Sequence, residues 1–312
     1  MSGVALQLDH VTKRFGKVLA VDDLSLEVRE GEVFGLLGPN GAGKTTSINM
    51  ICGLLRPDEG QVLVHGRAVR DDADVLARVG VCPQNVVLWS NLTCLEQLGF
   101  VGEMYGLPRR VARNRGEALL AVMGLADRRD WLAKALSGGM QRRLNLLMAL
   151  VHDPDVVVLD EPEAGLDPQS RVLLRDYIRS MARKKTVILT THNMDEAERV
   201  ADRVGIIDHG RLLVVDTPDA LKRRIGEGDV LEIEVSGVDA PPGLAAAAVG
   251  AVVGGATAVG GTVVVRARGV VEMLPAILDA LRDCGARPGE VRLRESTLED
   301  VFISLTGRRL RE

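Results

Sequence analysis

The sequence is short of aromatic side chains, of cysteine and of any surplus of one charge. Tryptophan, tyrosine and phenylalanine number 2, 2 and 4, together 3% of 312 residues. A core of this chain must therefore be built from Leu, Val, Ile and Ala. The 39 basic and 43 acidic residues leave a net charge of −4. That balance gives no broad electrostatic reason to bind nucleic acid, and no nucleic-acid partner is expected. The four cysteines, Cys52, Cys82, Cys94 and Cys284, lie far apart with no C-x-x-C pair. Neither a zinc knuckle nor a disulfide framework is indicated, and small buried apolar roles in a reducing cytosol fit better. The N-terminal residues carry no apolar core of a signal peptide, so none is expected.

Long hydrophobic runs are also wanting. Only residues 240–265 lack charge over a membrane-spanning length. Pro241 and Pro242 open that stretch, and Gly250, Gly254, Gly255, Gly260 and Gly261 interrupt it. Ala and Gly carry little transfer energy, so short strands with glycine turns are expected there rather than a spanning helix. What remains is ordinary globular chemistry, 46% hydrophobic and 26% charged, enough for about two domains at ~100–200 residues each.

Residues 1–220 alternate short apolar runs with amphipathic helical patterns. Residues 33–37, 156–159 and 186–190 are continuous apolar or β-branched runs, suited to parallel strands buried on both faces. Helical patterns between them make an α/β domain the natural reading. Residues 5–8 and 24–28 alternate apolar with polar, which suits an antiparallel flank. A helical subdomain is expected over about 90–150, with breaks at Gly106 and Pro108. Asp216-Thr217-Pro218, a short basic helix over 221–225 and Gly226-Glu227-Gly228 mark a boundary. Residues 221–312 then read as a small α+β module: alternating strands at 230–235, 262–267 and 291–294, an amphipathic helix at 270–284, and helices on one face of the sheet. The basic end Arg308-Arg309-Leu310-Arg311 reads as a solvated helix end.

Three motifs carry chemistry. Gly38-Pro39-Asn40-Gly41-Ala42-Gly43-Lys44-Thr45-Thr46 matches the phosphate-binding loop G-x-x-x-x-G-K-[ST], between an apolar strand and a helical pattern. Its glycines let backbone N–H groups converge on an anion at a helix N-terminus. Lys44 can reach the β- and γ-phosphates, and Thr45 can offer a hydroxyl to Mg²⁺. Residues 156–159 then run into Asp160-Glu161. An acid at a buried strand end is expensive unless paired, so Asp160 reads as a Mg²⁺ partner and Glu161 as the group that polarises water. Leu136-Ser137-Gly138-Gly139-Met140-Gln141 precedes a helix and forms a second anion-binding element. At average composition such a hexapeptide arises by accident in about one chain in a few thousand, so the motif is specific.

With these motifs in this order, residues 3–220 resemble the ATP-binding subunits of ABC transporters. The resemblance implies a P-loop ABC-type ATPase fold, ATP and Mg²⁺ as ligands, and further site residues. Phe15, in Arg14-Phe15-Gly16, matches the aromatic that stacks on adenine, a position where the family often has Tyr. Gln84, after Val81-Cys82-Pro83, matches the glutamine that touches Mg²⁺ and the attacking water. Asp167, in Gly165-Leu166-Asp167, matches the loop that crosses the dimer interface. His192, after Thr190-Thr191, matches the histidine on the γ-phosphate. Glu163 departs from the pattern, which commonly has a small or hydroxyl residue there. It would either weaken nucleotide binding as a third acid or face solvent.

Ser296-Thr297-Leu298-Glu299-Asp300-Val301-Phe302, followed by Leu305-Thr306-Gly307, resembles the ending of daunorubicin/doxorubicin-resistance-type export ATPases. The implied protein is a peripheral subunit at the cytoplasmic face of the membrane. It would pair with a second ATP-binding subunit, most simply a copy of itself, and with a separate polytopic permease docked near residues 85–110. Ser137, Gly138 and Gly139 of one copy would close over the ATP of the other, while Glu161 positions or deprotonates water and Lys44 and His192 stabilise charge. The alternative is a non-transport ABC ATPase of translation or DNA repair. Members of those groups usually carry two ATPase units or a long coiled-coil insertion, neither of which is visible here. A P-loop kinase or GTPase switch lacks the 136–141 signature.

Overall fold

In the computed structural model the described residues are 3–70, 72–225, 229–236 and 241–307. They divide into two compact units that part between Pro218 and Asp219. The expected glycine linker at 226–228 and the basic end at 308–311 lie outside the described residues.

The first unit opens with a long hairpin, β1 (Val4–Phe15) and β2 (Val18–Arg29), in the alternating burial that an antiparallel flank requires. β3 (Val33–Leu37), buried at every position, leads through the glycine-rich loop into α1 (Lys44–Ile51). β4 (Glu59–Val64) and β5 (Arg67–Ala68) return to the hairpin and complete a four-stranded sheet in the order β2-β1-β4-β5. After α2 (Ala73–Leu76), β6 (Val79–Cys82) enters the core. Three helices follow, α3 (Cys94–Met104), α4 (Arg109–Val122) and α5 (Gly138–Met148). Thr93 and Glu96 form a capping box at the start of α3, and the expected break falls at Gly106 and Pro108, the latter the N-cap of α4. The chain then alternates as β7 (Val156–Asp160), α6 (Pro168–Met181), β8 (Thr186–Thr191), α7 (Met194–Val200), β9 (Arg203–Asp208) and β10 (Arg211–Asp216).

The core sheet has the order β10-β9-β3-β8-β7-β6, parallel except for β10 at one edge. Its central strands β3, β7 and β8 are buried on both faces because a separate core covers each, whereas the edge strand β10 stays partly exposed. Leu159, Val187 and Leu189 pack with Leu95, Leu98, Leu144, Leu147 and Ile178 on the helical side. Val156, Val158, Ile188 and Phe34 pack with Ile48, Met50 and the antiparallel sheet on the other. At about 25 cal/mol per Å² of apolar surface, these two layers are the main favourable term in folding, with almost no aromatic contribution. Cys52, Cys82 and Cys94 are buried, as expected, whereas Cys284 is only partly buried.

The second unit begins with α8 (Pro218–Arg224), whose first residue lies at the division. Then come β11 (Asp229–Ser236), α9 (Pro242–Val253), β12 (Ala256–Val259), β13 (Thr262–Ala267), α10 (Val270–Asp283), β14 (Arg287–Arg294) and α11 (Leu298–Thr306). The sheet is antiparallel in the order β12-β13-β11-β14. With its β-α-β-β-α-β chain order this is the split βαβ arrangement.

Two expectations need correction here. The stretch opening at Pro241-Pro242 forms a helix, α9, before the two expected short strands. Proline is at home in a first helical turn, four consecutive alanines favour helix, and Gly254 ends it in the left-handed region at φ 81°. Nor are the helices all on one face. Leu231, Ile233, Val263 and Val265 face α9 and α10, whereas Arg266, Glu232 and Arg294 project from the opposite face. There Asp300 of α11 accepts hydrogen bonds from Arg294 at 2.6 and 2.9 Å and from Arg266 at 2.9 Å. Among the described residues no helix is long and apolar enough to cross a membrane.

Burial alone would oppose ionisation of Asp300, but Arg294, the Thr297 N–H and Arg266 hold its carboxyl below the usual carboxylate range. Removing Asp300 takes from Arg266 the carboxylate it bonds, whereas Arg294 keeps Glu232 Oε1 at 2.7 Å. Asp300→Ala should therefore destabilise the C-terminal unit by about 1–3 kcal/mol, read as a lowered urea midpoint for that unit. An unchanged midpoint would show that α11 is held without the pair.

Candidate functional site

The parallel register decides which loops meet. Leu37 pairs with Thr191, Asp160 with Thr190, and Cys82 with Leu159. Four neighbouring strands, β3, β8, β7 and β6, thus end at one edge and release the glycine loop, His192, Glu161 and Gln84 side by side. That edge, beyond the carboxyl ends of a parallel sheet, is where α/β folds bind ligands.

A cleft of about 520 Å³ opens there, lined by Val18, Leu19 and Ala20, by Asn40, Gly41, Gly43, Lys44, Thr45 and Thr46, and by Gln84, Glu161 and His209. Gly43, at φ 105°, precedes α1, and a side chain there would meet the Ala20 carbonyl at 2.5 Å. Gly38 is equally constrained, since a Cβ would stand 2.2 Å from the Ile207 carbonyl. Glycine is the residue that lets the loop turn its N–H groups inward this close to other backbone. Pro39 accepts from the Ala42 N–H at 3.2 Å and closes the turn. The Lys44 ammonium donates to the carbonyls of Gly38 at 2.7 Å and Pro39 at 2.9 Å. Burial pulls this ammonium below the ordinary lysine range, and the carboxylates of Glu161 and Asp160 oppose that pull.

Glu161 is the hub of the cleft. Its backbone sits in the left-handed region at φ 45°, a conformation that costs a residue with a Cβ of order 1–3 kcal/mol and clusters at functional sites. Its N–H donates to both the carbonyl and the hydroxyl of Thr190, each at 3.1 Å. One carboxylate oxygen accepts from Gln84 Nε2 at 3.1 Å, and the other faces His192 Nδ1 at 3.0 Å. Asp160 is buried just beneath, with its carboxylate accepting from the Thr190 hydroxyl. Phe15 stands beside the cleft, paired in register with Val18 and half exposed, with the Lys13 ammonium 5.8 Å from its ring centroid.

A second group of predicted residues gathers elsewhere. Ser137 caps α5, its hydroxyl accepting from the Met140 N–H. Asp167 caps α6, accepting from the Ser170 N–H at 3.0 Å and hydroxyl at 2.6 Å. Gly139 lies between these helix starts, where an added Cβ would be 3.6 Å from the Asp167 carboxylate; Gly138 faces open space. None of the four lines the cleft. The described residues thus present one phosphate loop and, apart from it, the N-terminus of α5, which is suited to an anion; that of α6 is already capped by the Asp167 carboxylate.

Several neighbours escaped the sequence reading. Thr190 matters only through the strand register that sets it beside Asp160, and His209, in the turn between β9 and β10, only through its place in the cleft lining. Arg142 on α5 is buried, with its guanidinium on the carbonyls around Gln84 and Glu161. A helical wheel offers a signal for it, since Arg142 and Asn145 share the face that carries Leu146. Glu163 neither lines the cleft nor simply faces solvent. It bonds Glu196, which Arg175 holds at 2.6 Å, with Arg171 also near. Burial and the Glu196 charge push its carboxyl up to about 7.

A glycine loop at the end of β3, with an acid pair at the end of β7 and β8 between the two strands, defines a P-loop nucleotide hydrolase. The comparisons with known proteins narrow this. Residues 21–164 match the family model described as ABC transporter. The chain is 41% identical to the Nod factor export ATP-binding protein I of Ralstonia nicotianae, covering 98% of this chain and 95% of that protein. It is 38% identical to the daunorubicin resistance ATP-binding protein DrrA3 of Streptomyces coeruleorubidus, over 100% and 99%. A solved structure titled as the ATP binding subunit of an ABC transporter superposes with a TM-score of 0.66 at 28% identity, over 71% of this chain and 93% of that one. The chain belongs to the ATP-binding subunits of ABC transporters, which bind and hydrolyse ATP to drive transport.

Glu163 supplies a test within this region. Between the ordinary glutamate range and about pH 7 the folded chain keeps a proton that the unfolded chain has released, so stability falls as pH rises through that window. The group is partly exposed, which screens the effect. Glu163→Gln should abolish this slope and raise the melting temperature at pH 8 by about 2–4 °C, the equivalent of ~1 kcal/mol in a domain of this size. The same pH slope in the variant would contradict the shared proton.

Proposed function

We propose that this subunit powers export of a drug-like or hydrophobic compound, as a homodimer attached at the cytoplasmic face of the membrane to a separate polytopic permease. In this reading residues 1–220 are the ATP-binding domain and residues 221–312 an accessory domain. The observation that carries the hydrolytic part is the bridging of Glu161 by Gln84 and His192 at the mouth of the phosphate-loop cleft.

That geometry supports the following roles within this reading. The loop from Gly38 to Thr46 cradles the phosphates of ATP, and Phe15 stacks on the adenine. Lys44 exchanges its contacts with the Gly38 and Pro39 carbonyls for phosphate oxygens. Glu161, oriented by Gln84 and His192, aligns a water and accepts its proton. The water oxygen bonds to the γ-phosphorus as the bond to the bridging oxygen breaks, and ADP leaves with the electron pair. Lys44 and His192 offset the charge that develops. Thr45, Gln84 and Asp160 offer the hard oxygen donors that Mg²⁺ prefers, and they would hold it beside the phosphates. When bound, Mg²⁺ neutralises charge on the β- and γ-oxygens. Ser137, Gly138, Gly139 and Asp167 serve the nucleotide of the partner copy, which fits their placement outside this chain's own cleft.

The permease reading is supported by apolar side chains left exposed after Gln84 and along α3, namely Val86, Val87, Trp89, Phe100 and Met104. Such a cluster is more typical of an interaction surface than of free solvent contact. Export as the direction, and a hydrophobic cargo, rest on the full-length similarity to an export and a resistance protein.

Tagged Glu161→Gln, extracted in detergent from its native cells with ATP present, should bring down one polytopic membrane protein in stoichiometric amount. The same variant should bind ATP normally and hydrolyse it at least ~10²-fold more slowly, the lower end of general-base effects. Recovery of ribosomes or repair proteins instead would contradict transport, and wild-type hydrolysis would contradict the role of Glu161.

A further inference from the structure

Arg142 lies one turn beyond the Ser137–Gly139 signature on α5 and is only 5% exposed. Its guanidinium has five N–H donors in a rigid plane. Nε donates to the Pro162 carbonyl at 3.2 Å. One terminal nitrogen donates to the carbonyls of Pro83, at 3.1 Å, and Gln84. The other donates to those of Asp160, at 3.1 Å, and Glu161. Every one of these acceptors is main chain, and together they belong to the two segments that carry Gln84 and Glu161.

This arrangement has a physical reason. The carbonyls of residues 160, 161 and 162 all face the one guanidinium, whose positive charge offsets the repulsion between their negative dipole ends. The convergence goes with the left-handed backbone of Glu161, and a planar fork spans all five acceptors where a compact ammonium could not. Arg142 is too deeply buried to meet the nucleotide. It therefore acts through the groups it holds.

We propose that Arg142 is a positioning residue for ATP hydrolysis. It fixes the main chain beneath Gln84 and Glu161 and ties both to the signature helix, so that seating of the partner's nucleotide on Ser137–Gly139 is transmitted to this chain's own hydrolytic carboxylate. The proposal rests on the reading of Glu161 as the water-activating group. Because α5 is continuous from Ser137 to Arg142, a shift at its N-terminus displaces the guanidinium with it.

The test uses the full-length protein with Arg142→Lys and Arg142→Gln, each also combined with Glu161→Gln. kcat and KM are measured for ATP, and the Kd is measured for a fluorescent ATP analogue. A displacement near 1 Å at a reacting group can cost about 10²-fold, so kcat should fall by ~10–10²-fold with the Kd nearly unchanged. Arg142→Lys should keep more activity than Arg142→Gln. In the Glu161→Gln background neither change should slow the residual rate further, because residues acting as one unit are not additive. Should Arg142→Gln fail to fold, Arg142→Lys, which keeps the charge, decides. Wild-type kcat in folded Arg142→Lys, a loss confined to Kd, or a loss that only tracks the unfolded fraction would overturn the proposal. If Glu161→Gln itself hydrolyses ATP normally, it is the reading of Glu161 that has failed.

Discussion

The in-register alignment of β3, β8, β7 and β6 is the constraint from which the site follows. Parallel pairing of Leu37 with Thr191 and of Asp160 with Thr190 ends these strands together. A one-residue slip would invert every side chain and carry the apolar set of each strand to the wrong layer. Because both faces of the sheet are packed, by separate hydrophobic cores, register is strongly specified. The energy that enforces it comes from Leu, Val and Ile burial, and the precision reaches the loops at the strand ends. The geometry of the cleft is a by-product of the pattern that folds the sheet.

The same edge concentrates charge where water is partly excluded. Lys44, Asp160 and Glu161 are each costly to bury alone, and each is compensated: Lys44 by carbonyls and the two acids, Asp160 by Thr190, Glu161 by Gln84 and His192. Arg142 adds a cation that belongs to none of the acids and is solvated by peptide carbonyls instead. The helix starts at Ser137 and Asp167 lie apart from this cluster; the α6 start is capped by the Asp167 carboxylate itself, whereas the α5 start is capped only by the neutral Ser137 hydroxyl. One copy accordingly looks like two complementary halves of different sites, and that is the structural argument for pairing.

Contiguity decided what was legible in the sequence. The residues from Gly38 to Thr46, Asp160-Glu161 and 136–141 are local strings, and their chemistry follows from spacing alone. Gln84 and His192 needed the family pattern, because a lone Gln after Pro or a lone His after a strand has no chemistry until the register brings it to Glu161. Arg142, Thr190 and the Glu163–Glu196 pair depend on contacts between segments distant in sequence, which spacing cannot express. Helix α9 was misjudged because glycine count was weighed above the alanine run and the helix-compatible prolines. The expectation of helices on one face failed because residues 296–307 carry no sign of the face on which Arg266 and Arg294 meet Asp300 of α11.

The central claim, that each ATP site takes its phosphate loop and Glu161 from one copy and its signature from another, is tested most directly by complementation. Glu161→Gln keeps an intact signature, and Ser137→Arg keeps an intact loop and carboxylate. Purified separately, each should be nearly inactive as an ATPase. Mixed in equal amounts with ATP, they should regain a substantial fraction of wild-type activity, since a mixed pair assembles one complete site. Two folded, nucleotide-binding variants that stay inactive when mixed would contradict the account, and full activity in Ser137→Arg alone would do so as well.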